Sequence, residues 1–135
     1  MSAIADKVVD EAEKAVRKVG FVVHQSVTLR TPVDTGYARS NWLVTNGAPS
    51  PNVIVPTSLG AGGSTAAQIT QESLQAGKAA IERHAQGQDL YITNNVEYIK
   101  PLEEGSSAQA PQGMAKQAVV DGKAYAQGLR IDLNV

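Results

Sequence analysis

A chain of 135 residues, 42% of them hydrophobic, has the size of a single domain with a modest core. Twelve Lys and Arg against thirteen Asp and Glu give a net charge of −1, so the bulk charge gives no reason to expect tight sequence-independent binding to a phosphate backbone and leaves a local basic face open. The absence of cysteine excludes a disulfide framework and a thiolate metal site. No apolar run reaches membrane-spanning length, and "MSAIADKVVDEAEKAV" is too acidic and amphipathic for a signal peptide, so synthesis and folding in a cytosol are expected.

From Ser2 to about Arg30, Ile4, Val8, Ala12, Ala15, Val19, Val22, Val23 and Val27 recur at steps of three and four, with Asp10/Lys14 and Glu13/Arg17 as charge pairs four apart. This spacing predicts a long amphipathic helix. Its second half is rich in β-branched residues and begins at Gly20, so packing rather than propensity must hold it. Thr31 precedes Pro32 and should end the helix there. Tyr37 to Thr45 alternates in the manner of a strand, "NGAPSPN" has turn composition, and Val53 to Val55 read as the returning strand of a hairpin. A flexible Gly-rich loop is expected over about 56–64. Thr65 and Gln68 then have the form of a capping box opening a helix to about Gln86. The inner stripe of that helix is Ala66, Ile69, Ser73, Leu74, Gly77, Ala80, Ile81 and His84.

Asp89 to Asn94 predicts a third strand, and "VEYIKPLEEGSS" a short helical turn limited by Pro101 and closed by Gly105 in the left-handed region. A last helix follows from Met114, with Met114, Ala118 and Tyr125 on one side and Gly128 as terminator. "LRIDLNV", residues 129–135, alternates without a break and predicts a terminal strand that must pair with something, such as a neighbouring subunit. The whole is an α+β fold, with a long N-terminal helix and further helices packed on a small, mainly antiparallel β-sheet, in one domain spanning 1–135.

Few residues suggest chemistry. His24 and His84 have no histidine or acidic partner at zinc-ligand spacing, so each is expected to be structural or on the surface. No serine sits in a nucleophile elbow. "LGAGGST" before a helix superficially resembles a phosphate cradle, but it lacks the lysine of the triphosphate loop and the third glycine of the dinucleotide fingerprint. Glu103 and Glu104 are adjacent and cannot face each other on a helix, which leaves them as a solvated helix end. In "VDTG", Asp34 can bond back to the amides of Thr35 or Gly36, and Gly36 can supply a positive φ, giving a specified turn from helix to strand. Arg39 and Asn41 are expected on one strand face, where the fork of Arg39 suits a carboxylate on a neighbouring chain or Asp34 itself. Trp42 is expected on the other face, in the core.

"TPVDTGYARSNW" together with "YITNNVEYIKPLEEGSSAQAPQGM" resembles the neck or tail-completion proteins of tailed bacteriophages. Members of that family carry a proline, Asp-Thr-Gly, an arginine and a hydroxyl or tryptophan, matched here by Pro32, Asp34, Thr35, Gly36, Arg39, Ser40 and Trp42. A second block is matched by Asn94, Asn95, Tyr98, Glu104, Gly105, Pro111 and Gly113. Pro101 and the long glycine-rich linker depart from the family pattern. The resemblance implies a non-enzymatic virion structural protein of the head–tail junction, without cofactor or metal, made in the host bacterial cytoplasm. It implies a ring of six-fold or twelve-fold symmetry that joins the tail to the DNA-filled capsid and leaves a DNA channel. Its partners would be copies of itself, other connector proteins and a tail terminator or tail tube, with DNA passing the lumen unbound and no membrane involved. Asp34, Thr35, Gly36, Arg39, Asn95, Tyr98, Glu104, Gly105, Pro111 and Gly113 would then belong to a subunit or neighbour interface, anchored in the core by Trp42. A tail terminator, a head-closure protein and a small nucleic-acid-binding packaging accessory stay open as alternatives; the accessory would need Lys7, Lys14, Arg17 and Lys18 on one free face. For a small hydrolase only the glycine-rich loop speaks.

Overall fold

The computed structural model describes residues 3–32, 37–55 and 66–130. Its backbone is the long helix α1 (Ala3–Arg30), to which the rest is fitted: a 3-10 turn (Arg39–Asn41), strand β1 (Leu43–Asn46), helix α2 (Ala66–Glu82), strand β2 (Leu90–Thr93), the short helix α3 (Ile99–Glu103) and helix α4 (Ala115–Gly128). β1 and β2 form a two-stranded antiparallel sheet in which Leu43 opposes Thr93 and Asn46 opposes Leu90. The α+β architecture expected from the pattern is present, with far more helix than sheet. Among the described residues no helix is long and apolar enough to cross a membrane.

Two predicted strands are corrected. Tyr37 to Trp42 winds into a turn because its short polar side chains bond back to the backbone: Ser40 Oγ donates to the Tyr37 carbonyl at 2.9 Å and Asn41 Nδ2 to the same oxygen at 2.8 Å. Val53 to Val55 does not return as a hairpin strand, and β1 pairs instead with β2 across a long connection. Pro51 and Pro56 flank the Val-Ile-Val stretch, and prolines withhold ladder donors. The buried Asn41 substitutes for a partner strand there, accepting from the Ile54 N–H at 2.7 Å and donating to the Ile54 carbonyl at 2.8 Å.

The core has two lobes on α1. On one side Val27, Ala110, Met114 and Ala118 are buried, with Val23, Trp42, Ile92, Ile99 and Leu102 packed around them. Gly122 lets α4 approach closely here, since a Cβ at that position would lie 2.5 Å from a Val23 methyl. On the other side Ile69, Ala80 and Ile81 of α2 are buried, as the predicted stripe requires. Gly77 meets the ring of His24, where an added Cβ would lie 2.2 to 2.8 Å from three ring atoms.

Smaller corrections follow. Helix α2 ends at Glu82, so His84 lies just beyond it rather than within it. Tyr125 is 40% exposed, although it follows Ala118 by two helical turns. Gly128 is the last residue of α4 without a positive φ, and Leu129 leaves the helix in extended conformation. Pro101 is accommodated because it occupies the first turn of α3, where its missing N–H breaks no intrahelical bond. The turn at Val33 to Gly36, the Gly-rich loop with its Thr65 cap, and residues 131–135 lie outside the described residues.

Candidate functional site

The first motif begins at the end of α1. Thr31, fully buried, donates through Oγ1 to the Val27 carbonyl at 2.6 Å and accepts from Trp42 Nε1 at 2.7 Å. The helix C-terminus leaves carbonyls without intrahelical partners and carries partial negative charge, which a guanidinium satisfies on both counts. Arg39 does this. Its Nε and Nη2 donate to the Thr31 carbonyl at 3.1 and 2.9 Å, Nη2 reaches the Leu29 carbonyl at 3.0 Å, and Nη1 reaches Thr70 Oγ1 of α2 at 3.2 Å. Burial pushes its pKa down from the usual arginine value. The guanidinium fork expected to seek a neighbour's carboxylate is thus spent on carbonyls of its own chain. Trp42 is half-buried against the Val27 and Met114 core, where the sequence places it.

The second motif docks on the first. Asn94 Nδ2 donates to the Ala38 carbonyl at 2.9 Å, while Asn94 Oδ1 accepts from the Val96 N–H. Asn95 Nδ2 donates to the carbonyls of Ser50 and Asn52 at 2.7 and 3.1 Å. Tyr98 meets Tyr37 edge to face, with ring centroids 6.1 Å apart. Gly105 has φ +93°, and a Cβ there would lie 2.4 Å from the Pro111 carbonyl oxygen. Gly113 has φ +87°, and a Cβ there would lie 2.6 Å from the Glu103 carbonyl oxygen. Asn95, Tyr98, Glu104 and Pro111 are exposed along the outer edge of this assembly, whereas Gly113 is buried.

Sequence reasoning missed Glu103. Its carboxylate accepts from the N–H groups of Met114, Ala115 and Lys116 at 3.0, 2.7 and 3.0 Å, so it caps α4 and is no solvated helix end. Burial acts to raise its pKa, but those amides and the charge of Lys116 outweigh it and hold the carboxyl below its usual value. A glutamate twelve residues ahead of the helix it caps gives no local signal.

Both histidines are buried. His24 Nε2 donates to the Trp42 carbonyl at 2.9 Å, which ties α1 to the entrance of β1. Its pKa is lowered by burial, an effect the carbonyl bond only partly offsets. His84 does have an acidic partner, brought from α1: its Nδ1 contacts the Glu13 carboxylate, and its Nε2 lies 2.7 Å from the Gln88 carbonyl. Arg17 Nη2 donates to the His84 carbonyl at 3.0 Å, so three side chains join α1 to the end of α2. Among the described residues no group of three His, Asp or Glu is placed to hold a metal ion.

A groove of about 490 Å³ runs between α2 and β1, with Trp42, Ile54, Ile69, Glu72 and Arg83 in its walls. Asp34, Thr35 and Gly36 lie outside the described residues, as does the glycine-rich "LGAGGST". The site assembled from the two motifs is therefore a structural corner made of capped helix ends and side-chain to backbone bonds. Comparison with family models, curated proteins and solved structures finds no match for this chain.

Proposed function

We propose that this protein is a structural subunit of the head–tail junction of a tailed bacteriophage, a neck or tail-completion protein that assembles into a ring around a DNA channel. One observation carries this proposal. The two stretches that resemble that family, about fifty residues apart in the chain, are joined into one corner by the Asn94 bond to the Ala38 carbonyl and the Tyr37–Tyr98 contact. Residues of this kind fix shape, and a closed ring demands a fixed angle between the two contact surfaces of each subunit. Asn95, Tyr98, Glu104 and Pro111 are exposed on this corner.

A nucleic-acid-binding accessory is favoured less, because Lys7, Lys14 and Arg17 of α1 are engaged by carboxylates of the same helix. Lys7 and Lys14 pair with Glu11 at 3.3 and 3.1 Å, and Arg17 with Glu13 at 3.6 Å. Cations paired in this way release fewer counterions on meeting DNA.

The test is the mass of the purified protein alone and after mixing with tail tubes or DNA-filled heads, by light scattering and electron microscopy. Closed rings, or a monomer that becomes a ring only at the junction, are expected. A stable monomer that joins neither structure overturns the proposal.

A further inference from the structure

Three large apolar side chains stand in a row on the surface. Val53, Ile54 and Val55 are 41%, 46% and 68% exposed, whereas apolar exposure on a monomer is ordinarily scattered over single residues. The segment is held in place from its other side. The buried Asn41 bonds the N–H and the C=O of Ile54 at 2.7 and 2.8 Å, and Asn95 Nδ2 donates to the carbonyls of Ser50 and Asn52.

The two bonds to Asn41 decide which backbone groups face outward. Both polar groups of Ile54 lie on one side of the chain, as in an extended residue, and Asn41 stands there in place of a neighbouring strand. In a planar trans peptide the N–H and the C=O point in opposite directions. The Val53 carbonyl shares a peptide with the Ile54 N–H, and the Val55 N–H shares one with the Ile54 carbonyl, so both are turned away from Asn41. Among the described residues nothing bonds to either. One edge thus offers an acceptor and a donor two residues apart, beside exposed β-branched side chains, and such an edge takes one further strand.

That arrangement also selects the strand. An acceptor and a donor placed evenly about a central residue complement themselves after a half-turn. With two copies laid antiparallel and Ile54 opposite Ile54, the Val55 N–H of each meets the Val53 carbonyl of the other. Charge does not oppose the meeting, because the chain carries no Asp, Glu, Lys or Arg from Gly47 to Gln71, and charged side chains are a common means of keeping strand edges apart. Pro51 and Pro56 lie outside the two bonds and withhold no donor that this pairing uses.

We propose that Val53–Val55 is a contact between two copies of this chain, paired antiparallel about Ile54 through reciprocal bonds from the Val55 N–H to the Val53 carbonyl. The contact is isologous, separate from the heterologous contacts that close a ring, and it does not rest on the proposed function.

The chain has no cysteine, so single cysteine variants read the register directly. Ile54 opposite Ile54 is a pair without mutual hydrogen bonds, its Cα atoms roughly 4.5 Å apart and within disulfide reach. Val53 then opposes Val55 of the other copy, which leaves the two Val53 positions more than roughly 7 Å apart and out of reach. Mild oxidation of the Ile54→Cys protein is expected to give a disulfide dimer, and the Val53→Cys protein at least tenfold less of one. A mixture of Val53→Cys with Val55→Cys proteins is expected to restore it. No dimer from Ile54→Cys, or equal yields from Ile54→Cys and Val53→Cys, overturns the proposal. Crosslinking of Ile54→Cys only to purified tail tubes or heads assigns the edge to another protein and overturns it as well. Hydrogen exchange on the unaltered protein supplies a second measurement. The Val55 amide is expected to exchange at least tenfold more slowly at millimolar than at micromolar protein concentration, and exchange independent of concentration overturns the proposal whatever the variants do.

Discussion

His24 shows how much one residue can commit. Its ring fills the space that Gly77 leaves, and its Nε2–H holds the Trp42 carbonyl, so a helix, a second helix and the start of a strand meet on one imidazole. Gly77→Ala would place a methyl within 2.2 Å of that ring. Overpacking of this kind costs about 1–3 kcal/mol, and the expected outcome is a lowered urea midpoint with an unchanged m-value. A midpoint equal to that of the parent would show that His24 can move aside. Because burial lowers the folded-state pKa of His24 below the ordinary 6.5, its unfolded form takes up a proton first as pH falls. Its contribution is therefore intact above about 6.5 and is lost progressively below it, toward the depressed folded value. An NMR titration of the His24 ring should show a midpoint below 6.5; a midpoint at or above that value contradicts the buried, neutral assignment.

At the scale of elements, ends matter more than interiors. Helix α1 stops where Thr31 and Pro32 dictate, and its last carbonyls are taken by Arg39. Helix α4 starts where Glu103 caps it from another helix. Glu103→Ala removes the acceptor of three N–H groups, and the loss should be about 1–2 kcal/mol, the upper part of the range for an N-terminal cap. Since the Glu103 carboxyl is held below its usual 4.5, its contribution is present above that pH and lost as pH falls below it. Thermal melts at pH 7 and pH 3 should thus show a smaller difference between parent and variant in acid; an equal difference at both values would contradict the capping role. The helices were legible in the sequence because their apolar residues repeat every three to four positions over many turns. The hairpin was not. Tyr37 to Trp42 and Val53 to Val55 have strand composition, but local bonds from Ser40 and Asn41 and flanking prolines override so short a pattern.

For the whole molecule, the same bonds that hold the corner decide which motif residues are buried and which are exposed. Arg39, Trp42, Gly105 and Gly113 serve the fold, whereas Tyr98 and Glu104 stand on its outer edge. Under the proposed function, a Tyr98→Ala, Glu104→Lys double variant is expected to keep the far-ultraviolet circular dichroism of the parent and to lose ring assembly by at least tenfold. Full assembly by a well-folded variant would remove this edge from the proposed interface. Of the candidate site, the positions were visible in the sequence as two dense motifs, but their roles were not, because a side chain's role depends on which carbonyl lies within about 3 Å of it.

What the sequence by itself determined is the order and extent of the long helices, the class of fold, and the left-handed turn at Gly105, all of which follow from local periodicity and backbone permissiveness. Only the tertiary structure decided that β1 pairs with β2, that Glu103 caps α4, that Glu13 reaches His84 and that Arg39 turns inward. These contacts join residues from 8 to 71 positions apart, beyond the reach of a single helical turn, and such pairings are selected by the burial of polar groups that must find partners once the core closes.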